Sequence, residues 1–340
     1  MSTYFDQNKG QSIDISSLDA PPYLRDFLNH QRIVNNLAPR SVMNYYIHIR
    51  QFLRWVKFAQ KHGAKYNEQE FLGITISDIP IETIQQIADF DIYEFLSFSE
   101  GVLGNKASSR SLKLTAIKAF FRYLTNVSKD IDTDPSVMVK QPKREKRLPK
   151  YLSFDECIKL MENVSGDFPE RDMCIILLFL TCGLRLSELA GIDLSDIKED
   201  KILIFGKGRK ERVAYLNEAC LARLIDYLEA RENLSKIIDE KALFLSKRTG
   251  KRLTGRRIEQ IIKSYLEASG LGNLGYSVHT LRHSAATLLY QGNGEGSTEA
   301  NILVIKEILG HSSTAVTELY THLSEKNIMD TVANGPFSKV

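Results

Sequence analysis

The run Cys174-Ile175-Ile176-Leu177-Leu178-Phe179-Leu180-Thr181-Cys182-Gly183-Leu184 is the longest apolar stretch of the chain, and no other segment constrains the fold as much. A helix that is apolar all round has to be covered on every side. This stretch is far too short to cross a bilayer. It therefore predicts a buried helix over about 172–181 in a globular domain, with Arg185 just beyond its end.

A chain of 340 residues is long enough for two domains, each with its own core. Its apolar and charged fractions are those of an ordinary soluble protein. Residues 1–11 are polar and lack the basic-then-apolar layout of a signal peptide. A net charge of +3 identifies no partner by itself, but the charges are unevenly placed. Lys140, Lys143, Arg144, Lys146, Arg147 and Lys150 crowd a segment whose single acid is Glu145. Lys247, Arg248, Lys251, Arg252, Arg256 and Arg257 form a second run with no acid between them. Local basic patches in a nearly neutral protein suggest a polyanion such as nucleic acid, with solvated loops as the competing reading. Cys157, Cys174, Cys182 and Cys220 show no Cys-x-x-Cys pair and no disulfide-like rhythm, the usage of a reduced, cytosolic protein.

Residues 1–20 read as a flexible tail. Residues 21–135 read as a helical domain. Val42, Tyr45, Tyr46, Ile49, Leu53 and Val56 recur at three- and four-residue steps, and Ser41 is placed to cap the start. A looser stretch follows over 62–77, then helical patterns around 81–98 and 108–124. The last sets Lys106, Arg110, Lys113 and Lys118 beside Leu112, Ile117, Phe120 and Phe121, so one face can be buried and the other offered to phosphates; a solvated basic face explains it equally. Residues 136–150, with Pro142 and Pro149 and little apolar content, read as an extended basic linker. The second domain, 151–340, opens on the capping-box pattern Ser153-Phe154-Asp155-Glu156. Lys201–Phe205 and 212–216 are β-rich runs around Gly206-Lys207-Gly208, and helical patterns resume from Glu218 to the end.

Arg185, Lys207, His279, Arg282, His311 and Tyr320 supply two guanidiniums, an ammonium, two imidazoles and a phenol. That set suits breaking and remaking a phosphodiester through a protein–phosphate ester without a metal. Arg185 and Arg282 can grip the non-bridging oxygens with forked, charge-assisted hydrogen bonds. Lys207 can protonate the leaving alkoxide. His279 can accept the proton of the Tyr320 phenol, His311 can bond a non-bridging oxygen, and Glu188, one helical turn after Arg185, can orient its neighbours. The Gly206-Lys207-Gly208 tip lacks the spacing of a phosphate-binding P-loop. His279 and His283 stand four apart, but no His-Glu-x-x-His pattern is completed, so no metal site is expected.

Gly183-Leu184-Arg185-Leu186-Ser187-Glu188-Leu189, the Gly-Lys-Gly hairpin, His279-x-x-Arg282-His283, Leu309-Gly310-His311 and Tyr320 nine residues later together resemble the tyrosine recombinase (phage-integrase-type) family, and among them the Xer-type bacterial enzymes. The resemblance implies a SAM-like, helical core-binding domain. It also implies a mainly helical catalytic domain with a small β-sheet, the DNA breaking-rejoining enzyme fold, the two closing as a clamp around duplex DNA. Arg185, Lys207, His279, Arg282, His311 and Tyr320 fall on the catalytic positions and Glu188 on an accessory acidic one. Tyr320 would form a 3′-phosphotyrosyl bond, and four protomers would exchange strands through a Holliday junction with no cofactor. Residues 325–333 would form a helix docking on a neighbouring protomer. Lys106, Arg110, Lys113, Lys143, Arg144, Arg147, Arg256 and Arg257 are the expected DNA contacts. Chromosome-dimer resolution at the nucleoid of a bacterial cytoplasm, with no membrane partner, is the role first implied. An integrase or resolvase of a mobile element, a type IB topoisomerase and a non-catalytic DNA binder remain alternatives. The resemblance implies a homotetramer or a heterotetramer with a second recombinase, and leaves open the need for an accessory translocase or directionality factor. The Gly-rich insertion 291–297 departs from the family pattern and is expected to be a mobile loop.

Overall fold

The computed structural model describes residues 14–60, 66–143, 150–205, 211–291, 302–309, 331–335 and 337. The chain divides into two compact units, 1–146 and 147–340.

The first unit contains α1 (Pro22–Ile33), α2 (Pro39–Ala59), α3 (Glu68–Gly73), α4 (Ile81–Gln85), α5 (Asp89–Gly101) and α6 (Ala107–Tyr123). Helix α2 begins on Pro39, whose fixed φ suits a first helical position, so Ala38 takes the cap position and Ser41 is not the cap expected of it. The core is aromatic: Phe27, Phe52, Phe95, Phe120 and Phe121 are fully buried. Their rings meet edge to face, Phe27 on Phe120 at 5.5 Å and Phe52 on Phe95 at 5.2 Å, the arrangement favoured by ring quadrupoles.

Several expectations for this unit need correcting. The looser stretch contains α3, capped by the Asn67 side chain. The pattern over 81–98 is two helices, the second begun where the Asp91 carboxylate accepts the Ala88 N–H at 2.8 Å. Part of the tail is structural, because Ile15 and Ala20 are buried and the Asp19 carboxylate accepts the backbone N–H groups of Ile76 and Ser77. The start of the linker also packs inward, with Ser136 and Val139 buried.

The second unit contains α7 (Phe154–Glu162), α8 (Pro169–Cys182), α9 (Leu186–Gly191), β1 (Ile197–Lys198), β2 (Lys201–Phe205), β3 (Glu211–Tyr215), α10 (Glu218–Glu232), α11 (Gly255–Ala268), α12 (Val278–Gln291) and α13 (Ile302–Leu309). The capping box forms as read: the Ser153 N–H donates to Glu156 Oε2 at 2.8 Å and the Glu156 N–H to Ser153 Oγ at 3.2 Å. Helix α8 is the central element, buried from Cys174 to Cys182 and packed against α10 and α12. The three strands form one antiparallel sheet in the order β1-β2-β3, with Ile202 opposite Ala214 and Ile204 opposite Arg212. Helical structure does not resume without a break after Glu218. Residues 233–254 are not helical, and Arg252 there is ion-paired with Asp193 and Asp239. Among the described residues no helix is long and apolar enough to cross a membrane.

Candidate active site

Helix α8 ends at Gly183, which takes a left-handed conformation at φ 55°. Such an ending suits glycine, which bears no Cβ. The chain then re-enters a helix at once, with Arg185 in the cap position of α9. Glu188, in the first turn of α9, reaches back so that its Oε2 accepts the Arg185 N–H at 2.9 Å. Its Oε1 accepts from Arg185 Nη1 at 2.5 Å.

The same carboxylate is shared by two further arginines. Arg212 on β3 donates from Nη2 to Glu188 Oε2 at 2.9 Å, and Arg282 Nη1 lies 3.9 Å from that oxygen. Burial alone would raise the Glu188 carboxyl. The Arg185 N–H, the charge of Arg212 and the hydrogen bonds from both guanidiniums outweigh burial and hold it below its ordinary value of 4.5. Three guanidiniums around one carboxylate leave a surplus of positive charge.

Arg282 lies one turn after His279 on α12, and its side chain is 10% exposed. Its Nη1 donates to the carbonyl of Gly183 and its Nη2 to the carbonyl of Leu309 at 2.6 Å. Burial, then the neighbouring Arg185, lower its pKa to about 10, with Glu188 opposing, so it stays charged near neutrality. Arg185 is the more open guanidinium, 39% exposed, and His279 is exposed. The structure thus brings Arg185, Glu188 and Arg282 together and sets His279 on the same helix as Arg282. Lys207, His311 and Tyr320 lie outside the described residues, as do Arg144, Arg147, most of the Gly-rich insertion, and 325–330 of the expected tail helix.

Arg212 was missed by the sequence reading, which took it as one more residue of a β-rich run. No short window of sequence carries the signal, which depends on the pairing register that sets Arg212 opposite the buried Ile204.

Of the expected DNA contacts, Lys106 and Lys143 in the first unit and Arg256 and Arg257 in the second are exposed. Arg110 is ion-paired with Glu100 at 2.6 Å. Lys113 is a correction. It is only 3% exposed, its Nζ donates to Ser99 Oγ at 3.3 Å and sits 5.5 Å from the centre of the Phe95 ring, so it faces the core and not a duplex.

The chain is 38% identical over 96% of its length to a tyrosine recombinase XerC of Caldanaerobacter subterraneus subsp. tengcongensis, covering 90% of that protein. It is 31% identical to the XerC of Thermodesulfovibrio yellowstonii over 91% of its own length and 94% of the relative's. In fold it is similar to the XerH site-specific recombinase solved on its difH substrate, with a TM-score of 0.61 at 22% identity, covering 95% of this chain and 85% of that one. A lambda integrase fragment (75–356) solved as a dimer on a core site aligns with a TM-score of 0.60 at 17% identity, over 85% of this chain and 95% of that one. Residues 150–327 match the phage integrase family; the chain belongs to that family, as an Xer-type site-specific tyrosine recombinase.

Proposed function

We propose that Arg185 and Arg282 bind the scissile phosphate of a DNA duplex while Tyr320 attacks it, forming a 3′-phosphotyrosyl bond and releasing a 5′-hydroxyl. The observation that carries this reading is the convergence of Arg185, Arg212 and Arg282 on the single carboxylate of Glu188. The surplus charge is matched by a phosphodiester, whose transition state gathers further negative charge on its non-bridging oxygens. Preorganised charge of this kind typically lowers a barrier by about 3–4 kcal/mol per donor. His279 takes the phenolic proton, Lys207 protonates the leaving alkoxide, and His311 bonds a non-bridging oxygen. The ester conserves the energy of the broken bond, so rejoining needs no nucleotide.

In this reading the first unit is the core-binding module and the second the catalytic domain. Lys106, Lys143, Arg256 and Arg257 contact the DNA backbone, so binding weakens steeply with salt as counterions are released. Four protomers act on two sites through a Holliday junction, in a bacterial cytoplasm at the nucleoid, and chromosome-dimer resolution is the role. The similarity to XerC proteins along nearly the whole chain supports that role, and lambda integrase, of like fold, has been solved as a tetramer bound to a Holliday junction.

The test is covalent trapping on nicked duplexes carrying candidate sites from the source genome, beside a Tyr320→Phe control. A denaturant-resistant adduct at the 3′ phosphate, absent from the control, is expected. Duplex binding without an adduct on any bound site would overturn the catalytic assignment.

A further inference from the structure

We infer that Arg212 is a positioning residue of the active site, which locks the C-terminal end of α13 to the Glu188 carboxylate that also holds Arg185. The inference deepens the recombinase reading and rests on it.

The last carbonyls of a helix have no partner within it and carry the negative end of its dipole. In α13 two consecutive carbonyls of this kind are taken by guanidiniums from other elements. Arg212 Nη1, from β3, donates to Ile308 O at 2.5 Å, and Arg282 Nη2, from α12, donates to Leu309 O at 2.6 Å. The other arms of these two side chains meet again at Glu188, Arg212 at 2.9 Å and Arg282 at 3.9 Å. Glu188 in turn holds Arg185. One carboxylate therefore connects the phosphate-gripping arginines to the last turn of α13, and the next residues of the chain are Gly310 and His311.

Arg212 is suited to this bridge in a way lysine is not. Its planar fork presents separate donors to a carboxylate and a carbonyl at once, while an ammonium is a point charge. Its side chain is 12% exposed and Ile204 is its cross-strand neighbour, so it enters the bridge from a nearly covered position. Its Nε is buried and has no hydrogen-bond partner among the described residues, which makes a direct contact with the phosphate the competing role.

Single-turnover cleavage of a nicked duplex separates the two roles. The proteins are the wild-type chain, R212Q, R212K and, as a phosphate-contacting reference, R185Q. Each is measured on an ordinary scissile phosphate and on a methylphosphonate, which lacks the charge that a phosphate-binding arginine neutralises. The expected result is a 10- to 100-fold slower cleavage in R212Q and R212K, with duplex affinity within twofold of wild type. The neutral linkage should narrow the R185Q deficit and leave the R212 deficits in place. Amide hydrogen exchange should show lost protection at the end of α13 in R212K with α8 unchanged, a local effect that general destabilisation would not give. Wild-type cleavage rates in both Arg212 variants, or a deficit closed by the methylphosphonate, would overturn the inference. So would equal loss of protection in α8 and α13. A wild-type chain that forms no adduct would instead sink the recombinase reading on which the inference stands.

Discussion

Gly183 and Leu309 approach so closely that a Cβ at position 183 would overlap the Leu309 side chain, and Gly183 itself turns through a positive φ of 55°. The glycine thus ends α8, seats α13 and presents its carbonyl to Arg282 in one step.

Gly183→Ala should therefore fail in two ways. A left-handed conformation costs a residue with a side chain about 1–2 kcal/mol, and the overlap adds about 1–3 kcal/mol. We expect the second unit to lose about 2–5 kcal/mol in denaturant unfolding. Adduct formation should fall more than tenfold at temperatures where the variant is still folded, because Arg282 loses a fixed acceptor. Wild-type cleavage in a folded Gly183→Ala protein would show that this contact does not organise the site.

Glu188→Gln tests the shared carboxylate. The folded carboxyl lies below its ordinary value, so its contribution to stability is present above the unfolded value of about 4.5 and is lost as pH falls through the lower, folded one. The amide keeps the size of the side chain but leaves three guanidiniums without a counter-charge. Removing one partner of a buried pair is expected to cost about 3 kcal/mol at pH 7, and the part of the acid-induced loss that Glu188 contributes should disappear. Urea midpoints measured from pH 3 to 7 on both proteins check this.

Asp19→Ala asks where the first unit begins. The Asp19 carboxylate accepts from Ile76 N at 3.1 Å and Ser77 N at 3.0 Å, which joins the segment before α1 to the loop after α3. Losing hydrogen bonds to a charged group costs about 1.5–3 kcal/mol. A midpoint unchanged in the variant would return residues 14–20 to the status of a tail.

What could be read from the sequence was what a short window encodes. Helix α8 is apolar all round, the Ser153–Glu156 pair is a local capping pattern, and the hairpin strands are β-rich, so each was legible without tertiary information. Arg185, Glu188 and Arg282 were legible through their order and spacing, with both arginines expected on one phosphate, but the sharing of the Glu188 carboxylate by three guanidiniums was not. Arg212 shows why, since its role depends on strand register and on a helix end far along the chain. Helix α6 shows the other limit. Leu112 looked like a core residue and Lys113 a phosphate contact, yet Leu112 is 54% exposed and Lys113 is 3% exposed. The apolar stem of a lysine can line a core, and a two-letter polarity pattern does not record that.

The buried Lys113 gives the last prediction its sign. Burial lowers its ammonium from 10.5 to about 8, and the hydrogen bond to Ser99 and the face of Phe95 offset only part of the lost hydration. His48 is held below its ordinary value by burial and then by this same charge. Between pH 8 and 10.5 the unfolded chain keeps the lysine proton and the folded chain releases it. Stability of the first unit should therefore rise with pH across that window. Below pH 8 the charged lysine is a net cost. Lys113→Met keeps the stem and removes the charge, so it should stabilise the protein at pH 7 by about 2 kcal/mol and flatten the rise between pH 8 and 10.5. It should leave duplex affinity unchanged, because the residue faces Ser99 and Phe95. If Lys113→Met instead weakened binding and reduced its salt dependence, the lysine would be a phosphate contact after all.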